Sequence, residues 1–188
     1  MGRTFYRLLD DTETPGRWWL KAPRDAHGAA VEPDIFRLGK RLELACPLTI
    51  PVRRPGRPLD FTFGDFELPV VSETTGILVR RCARGELQSF PAVIEGHGGR
   101  FEVLNLLRVV RCLDEEKSDV MFWTEADGRP GKVGQYRQVV SLTVDPAAAG
   151  KANLFRIAGW EIALIASEAI RGAMQRANVS GVRFAAVC

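Results

Sequence analysis

The strongest hydrophobic patterning along the chain lies in two stretches that echo each other. PVVSETTGILVRRCARG leads to FPAVI, and LIASEAIRGAMQRANVSG leads to FAAVC. In each, a short apolar run meets Ser-Glu (Ser72-Glu73 and Ser167-Glu168), a helical stretch follows, and a strand starts near a Phe. A serine hydroxyl accepts from the free amides of a helix start, and an acid in the first turn suits the helix dipole. Ile170, Ala173, Met174 and Ala177 fall at i, i+3, i+4 and i+7, one apolar stripe of a helix, and Gly181 suits its exit turn. Ile77, Leu78 and Cys82 supply a shorter stripe in the first unit. The pattern predicts two similar helix-strand units, a weak internal repeat. Chance similarity within one chain also produces echoes of this strength.

The rest of the pattern is strand-like and heavily punctuated. Residues 5–9 and 17–20 read as short strands separated by the turn-rich DDTETPG, and residues 21–34 as loop. Pro47, Pro51, Pro55, Pro58 and Pro69 each remove an amide donor and fix φ, so residues 47–69 read as extended, irregular chain or an edge strand. Within that stretch Leu59, Phe61, Phe63 and Phe66 form a partly alternating apolar face that requires burial. Residues 100–113 are strand-like throughout, residues 120–123 form a short aromatic strand, and residues 136–144 have the β-branched content of a longer one. Gly96, Gly98, Gly99 and the DGRPG run (127–131) are the turns. These elements predict an α+β fold with one main, mostly antiparallel sheet and at least two packed helices, in a single domain spanning 1–188.

Composition narrows the class. With 188 residues, 46% hydrophobic and 26% charged, the chain matches an ordinary globular domain. No apolar run is long enough to cross a membrane as a helix. The opening MGRTFYRLLDD reaches acids too early for an export signal, so Cys46, Cys82, Cys112 and Cys188 are expected to be reduced cytoplasmic thiols. The net charge of +3 hides an uneven distribution. Residues 37–57 carry Arg37, Lys40, Arg41, Arg53, Arg54 and Arg57 against Glu43 alone. Residues 113–127 carry Asp114, Glu115, Glu116, Asp119, Glu125 and Asp127 against Lys117 alone. Two such poles on a surface steer charged partners, although two solvated loops satisfy the same arrangement.

Candidate chemistry is sparse. His27 sits in a loop and His97 in the turn EGHGG, and nothing in the sequence joins His97 to Cys82 or Cys112 as a nucleophile pair. Metal-ligand spacings are missing, and neither GHGG nor GRPGKVG opens a helix that would cradle phosphate. No cofactor is expected. Glu115-x-Lys117 matches a metal-dependent nuclease tripeptide, with Asp60 and Asp65 as the nearest unplaced acids. Trp18 and Trp19 are adjacent, so on a strand one faces the core and the other an edge. Trp123, rimmed in sequence by Asp119, Glu125 and Asp127, is a candidate anchor for a basic partner.

Four blocks carry a family resemblance: PGRWWL (15–20), LDFTFGDFELPVVSE (59–73), FEVLNLLRVVRCLDEEKSD (101–119) and LFRIAGWEIALIASEAI with GVRF (154–184). Together they resemble immunity protein family 11 of bacterial polymorphic toxin systems, over almost the whole chain. The resemblance implies an inhibitor rather than an enzyme. Such a protein resides in the cytoplasm and binds the C-terminal domain of a secreted or contact-delivered toxin, so that the producer and its kin survive. It further implies an HNH-like nuclease as the toxin, and supplies no binding residues by position. The residues themselves suggest Asp114, Glu115, Glu116, Asp119, Trp123, Glu125 and Asp127 as the toxin contact, mimicking phosphates toward a basic cleft. The Pro-rich segment or the Trp18/Trp19 edge is the alternative contact. The net charge of +3 argues mildly against an acidic contact. Two other classes compete. One is a nucleic-acid-binding regulator using the Arg37 to Arg57 segment, and the other a phosphodiesterase using Asp114, Glu115 and Lys117 with a metal.

Overall fold

The computed structural model describes residues 2–187, so Cys188 lies outside the described residues. In chain order the strands are β1 (Phe5–Asp10), β2 (Trp19–Leu20), β3 (Leu48–Ile50), β4 (Val52–Arg54), β5 (Phe61–Gly64) and β6 (Leu68–Ser72). Helix α1 (Glu73–Cys82) follows, then β7 (Leu87–Ile94), β8 (Phe101–Leu106), β9 (Val109–Val110), β10 (Val120–Phe122) and β11 (Tyr136–Val139). The chain ends with the one-turn α2 (Pro146–Ala149), β12 (Leu154–Ile157), β13 (Trp160–Ser167), α3 (Glu168–Arg176) and β14 (Val182–Ala186).

The fold is α+β, but its strands divide into two five-stranded sheets rather than one main sheet. Their orders are β3-β7-β8-β6-β5 and β14-β1-β13-β12-β9, and β2-β4 and β10-β11 form separate ribbons. Pairing is antiparallel except at two edges, where β3 runs parallel to β7 and β9 parallel to β12. The division has a packing reason. Val71, Leu104 and Leu106 of the first sheet meet Leu8, Leu154, Leu164 and Ala166 of the second in one apolar cluster, closed by Val79 of α1 and by Ile170 and Met174 of α3. Two facing sheets bury these side chains, whereas one open sheet of ten strands would leave a face wet. The opposite faces are also filled: Trp18, Phe36, Leu48 and Phe90 lie on the first sheet, and Phe5, Cys112, Val144 and Phe155 on the second.

The crossing between sheets falls inside the stretch expected to be a continuous strand. β8 ends at Leu106, and after Leu107 and Arg108 the chain re-enters as β9, paired with β12 in the other sheet. The long strand expected over 136–144 likewise stops at Val139, and Val144 is joined to Leu113 by an isolated bridge and donates its amide to the Val187 carbonyl at 2.6 Å.

The two helices make matching connections. α1 joins β6 to β7, which flank β8, and α3 joins β13 to β14, which flank β1. Ser72 caps α1 by accepting the Thr75 amide at 3.4 Å. Ser167 does not cap α3. It is buried, and its hydroxyl turns to Asn153 Oδ1 at 3.0 Å. The expected stripes hold in part. Ile170 and Met174 of α3 are buried and Leu78 and Cys82 of α1 pack against the same core, but Ile77 is 47% exposed, Ala177 is exposed, and α1 also buries Thr75, Gly76 and Val79.

Leu59 and Phe61 are buried, and Phe63 packs edge-on to Phe61 at 5.1 Å. Phe66 breaks the expected face. It and Glu67 adopt left-handed backbone (φ 57° and 50°), which turns the Phe66 ring out to solvent beneath the Arg37 guanidinium.

Candidate functional site

The acidic stretch singled out in the sequence forms most of an arm, residues 113–140, that leaves the second sheet after β9 and returns before α2. Its root is fixed in the core. Cys112 and Val144 are buried, Leu113 bridges Val144, and the Asp114 amide donates to the Thr143 carbonyl at 3.0 Å. Ser118 closes the root: its hydroxyl accepts the Thr143 amide at 3.0 Å and donates to the Thr143 carbonyl at 3.3 Å. β10 and β11 then pair, with Phe122 against Tyr136 and ring centroids 5.2 Å apart. At the tip Thr124 and Asp127 form a reciprocal capping box, and Gly128 takes the left-handed conformation (φ 67°) that ends the turn.

The seven candidate residues divide by what holds them. Asp114 accepts Lys117 Nζ at 2.8 Å and the Lys117 amide, and these bonds hold its carboxyl below the usual carboxylate range while raising the lysine. Glu115 accepts the Tyr136 hydroxyl. Burial first, and the Glu115 bond second, push that phenol up to about 12. Asp127 accepts the Thr124 amide and hydroxyl and pairs with Arg137 at 2.6 Å, and its carboxyl is lowered by the Thr124 bonds first and by Arg137 after them. Glu116, Asp119 and Glu125 are exposed, and among the described residues their carboxylates make no ion pair or hydrogen bond.

Trp123 has a different setting from the one its sequence neighbours suggest. Its half-buried ring is covered by cations: Arg129 Cζ at 5.1 Å, Arg137 Cζ at 5.1 Å and Lys132 Nζ at 5.4 Å. The hairpin folds these three back over the ring from beyond the acidic run. Six acids and four bases therefore share residues 113–140, for a net charge of −2. Sequence reasoning also missed the arm's apolar exposure. Met121 is 47% exposed, Phe122 40%, Val133 43% and Val140 58%. The available signal was large apolar residues between Gly and Pro turns in strands too short to reach a core. Beside the arm lies a cavity of about 600 Å³, where Arg111, Glu115, Phe122 and Tyr136 face Gly159 of the β12–β13 turn and Glu161 of β13.

The other candidates are dispersed. Trp18 is fully buried and donates its indole N–H to Thr62 Oγ1 at 2.9 Å, while Trp19 lies half-buried under the Arg17 guanidinium. His97 packs edge-on to Trp18 at 5.0 Å, Cys82 lies beside α3, and Cys112 is in the core. Asp60 bonds Ser72 and Ser180, and Asp65 bonds Arg53 and the Ala22 amide. No three His, Cys, Asp or Glu among the described residues gather as a metal-holding group. In the basic segment Arg37 pairs with Glu67 at 2.9 Å and Arg53 with Asp65. Lys40, Arg41, Arg54 and Arg57 stay exposed without an ion pair among the described residues.

These features define an α+β protein whose distinguishing element is a projecting arm of exposed apolar and charged side chains. The sequence model of the immunity protein family Imm11 matches residues 95–188, half of the chain, from the turn before β8 through the arm to the end. The chain belongs to this family of immunity proteins, whose counterpart is a toxin. No curated protein matches it. The matched span contains the blocks at 101–119 and 154–184, whereas those at 15–20 and 59–73 precede it.

Proposed function

We propose that this protein acts in the cytoplasm as a stoichiometric, non-catalytic inhibitor of its cognate toxin, needing no cofactor, with residues 1–188 working as one domain. The toxin it fits is an HNH-like nuclease domain at the C-terminus of a secreted or contact-delivered polymorphic toxin, and neutralising it protects the producer and its kin. The contact is the arm. The observation that carries this reading is that Met121, Phe122, Val133 and Val140 are exposed on the same excursion as the unpaired carboxylates of Glu116, Asp119 and Glu125. Apolar residues framed by charge are the make-up of an interface patch. The free acids offer phosphate-like charge to a basic cleft, while Asp114, Glu115, Asp127 and Trp123 hold the arm in shape.

The test is co-expression with the toxin domain encoded beside the gene, scored by survival and co-purification. Reversal of Glu116, Asp119 and Glu125 to Lys should weaken the complex at least about tenfold, mainly through a slower, less salt-sensitive association. Phe122→Ala should speed dissociation. Unchanged binding in both variants sinks the arm as the contact. A neighbour that is harmless, or that kills regardless of this protein, sinks the toxin reading.

A second reading has one observation in its favour: Lys40, Arg41, Arg54 and Arg57 are exposed without ion-pair partners among the described residues. Nucleic-acid binding by these side chains would be steeply salt-dependent for any duplex, because phosphate contacts release counterions.

A further inference from the structure

Away from the arm, α1 and α3 lie side by side and leave an open groove of about 670 Å³ between them. Thr74, Ile77, Leu78 and Arg81 fall at i, i+3, i+4 and i+7 along one face of α1, and Ala173, Arg176 and Ala177 continue the surface on α3. The floor is apolar, formed by Ile77, Leu78, Cys82, Ala173 and Ala177. The rim is basic: Arg81, Arg84 and Arg176 are exposed, and no acid lines the groove. Among the described residues these three guanidiniums make no ion pair or hydrogen bond, whereas Arg80 pairs with Glu102 and Arg171 with Glu168. The arginines facing the sheet and the free face of α3 are satisfied, and those facing the groove are not.

We infer that this groove docks an acidic amphipathic helix of a partner protein. Charge complementarity selects the occupant. Three unpaired cations around an apolar floor match a helix that presents Leu-like side chains along one stripe and Glu or Asp on its flanks. α1 has 10 residues, about 15 Å of length, which accommodates roughly three turns of such a helix. A second copy of this chain does not fit. A two-fold contact would set each copy's three arginines against the other's, with no acid in either lining. Nucleic acid would use the arginines but leave Ile77 and Leu78 without apolar partners. The inference is independent of the arm and of the toxin reading.

The groove carries its own reporter. Cys82 lies on the floor, Cys46 is exposed elsewhere, and Cys112 is buried. The full chain is titrated with a labelled peptide of about 15 residues bearing Leu at helical spacing and Glu elsewhere, beside a control with Lys for every Glu. The Glu peptide should bind and become helical, and should slow maleimide labelling of Cys82 about fivefold or more while Cys46 labelling is unchanged, each site read by mass spectrometry. Arg81→Glu with Arg176→Glu should weaken binding about tenfold without moving Tm, because both side chains are exposed. If that pair shifts Tm, Arg84→Gln, outside both helices, repeats the test. Equal binding of the Glu and Lys peptides, no protection of Cys82, or indifference to the arginine changes would overturn the inference. Protection of Cys82 by duplex RNA or anionic vesicles as strong as by the Glu peptide, or by self-association of the chain, would overturn it too.

Discussion

Asp60 and Ser180, 120 residues apart, hold each other through three hydrogen bonds. The Asp60 carboxylate accepts the Ser180 amide at 3.1 Å and its hydroxyl at 2.7 Å, and the Asp60 amide donates to Ser180 Oγ at 3.0 Å. Ser72, the cap of α1, adds a hydroxyl bond to the same carboxylate at 3.1 Å. One side chain thus joins the entry to β5, the start of α1 and the exit from α3. Asp60→Asn should cost about 1–3 kcal/mol in urea unfolding at neutral pH. The carboxyl is pulled in two directions: burial raises it, but the Ser180 and Ser72 bonds outweigh burial and leave it below its ordinary value. Its contribution is therefore complete above the unfolded value of about 4 and fades as pH falls through the lower native value. The difference between Asp60→Asn and the parent should shrink in acid, and a constant difference down to pH 2 would refute this.

Gly181, the next residue, permits that junction. Its φ is +84°, and a Cβ there would overlap the Phe61 carbonyl oxygen and lie 2.9 Å from the Leu59 side chain. Gly181→Ala should cost at least about 3 kcal/mol, as strain and overlap combine. Gly16 also has positive φ but open space around it, so Gly16→Ala should cost only about 1 kcal/mol. Thermal melts of the two variants separate the steric term from the conformational one.

Glu86 ties the first sheet's side to the second. It is buried, and its carboxylate accepts the Asn153 amide at 2.9 and 3.1 Å and the Leu154 amide at 2.9 Å, while its own carbonyl accepts the Leu107 amide at 2.8 Å. In Glu86→Gln an amide NH2 would face amide donors. Stability should fall by about 1–3 kcal/mol, with faster hydrogen exchange at Asn153 and Leu154 than at β3. Equal acceleration throughout would contradict this local role.

Tyr136 offers a spectroscopic test of the arm. With its phenol pushed up to about 12 by burial and Glu115, Tyr136 should add no absorbance at the phenolate band near pH 10, read in a Tyr6→Phe background because Tyr6 is the other tyrosine of the chain. Glu115→Gln should lower that value only in part, since burial remains. The unfolded chain loses this proton near pH 10 and the native arm keeps it. Stability from this group is thus complete below pH 10 and lost as pH rises toward 12. Ionisation of Tyr136 near 10 in the parent would show that the arm is not packed as described.

Several elements were legible in the sequence because their causes are local. The helix start at Ser72-Glu73, the DDTETPG turn, the strand at residues 5–9 and the α+β class follow from capping, turn chemistry and periodicity. The helix faces were less legible. Ile77 satisfies the apolar stripe but points away from both sheets, because Val79 and Gly76 take the places against them. The acidic run was legible as a run. Its partial neutralisation was not, since Arg129, Lys132 and Arg137 reach Trp123 only after the hairpin turns at Gly128.

The sequence alone determined where α1 and α3 begin, where the main turns fall, which family blocks are present and that charge is concentrated in two segments. Tertiary structure decided that ten strands form two facing sheets, that Asp60 meets Ser180, that Glu86 meets β12, and that two helices leave a basic-rimmed groove. A strand's alternation states which residues share a face but not which strand lies beside it. Partners more than a hundred residues away are chosen by the burial that all the faces achieve together.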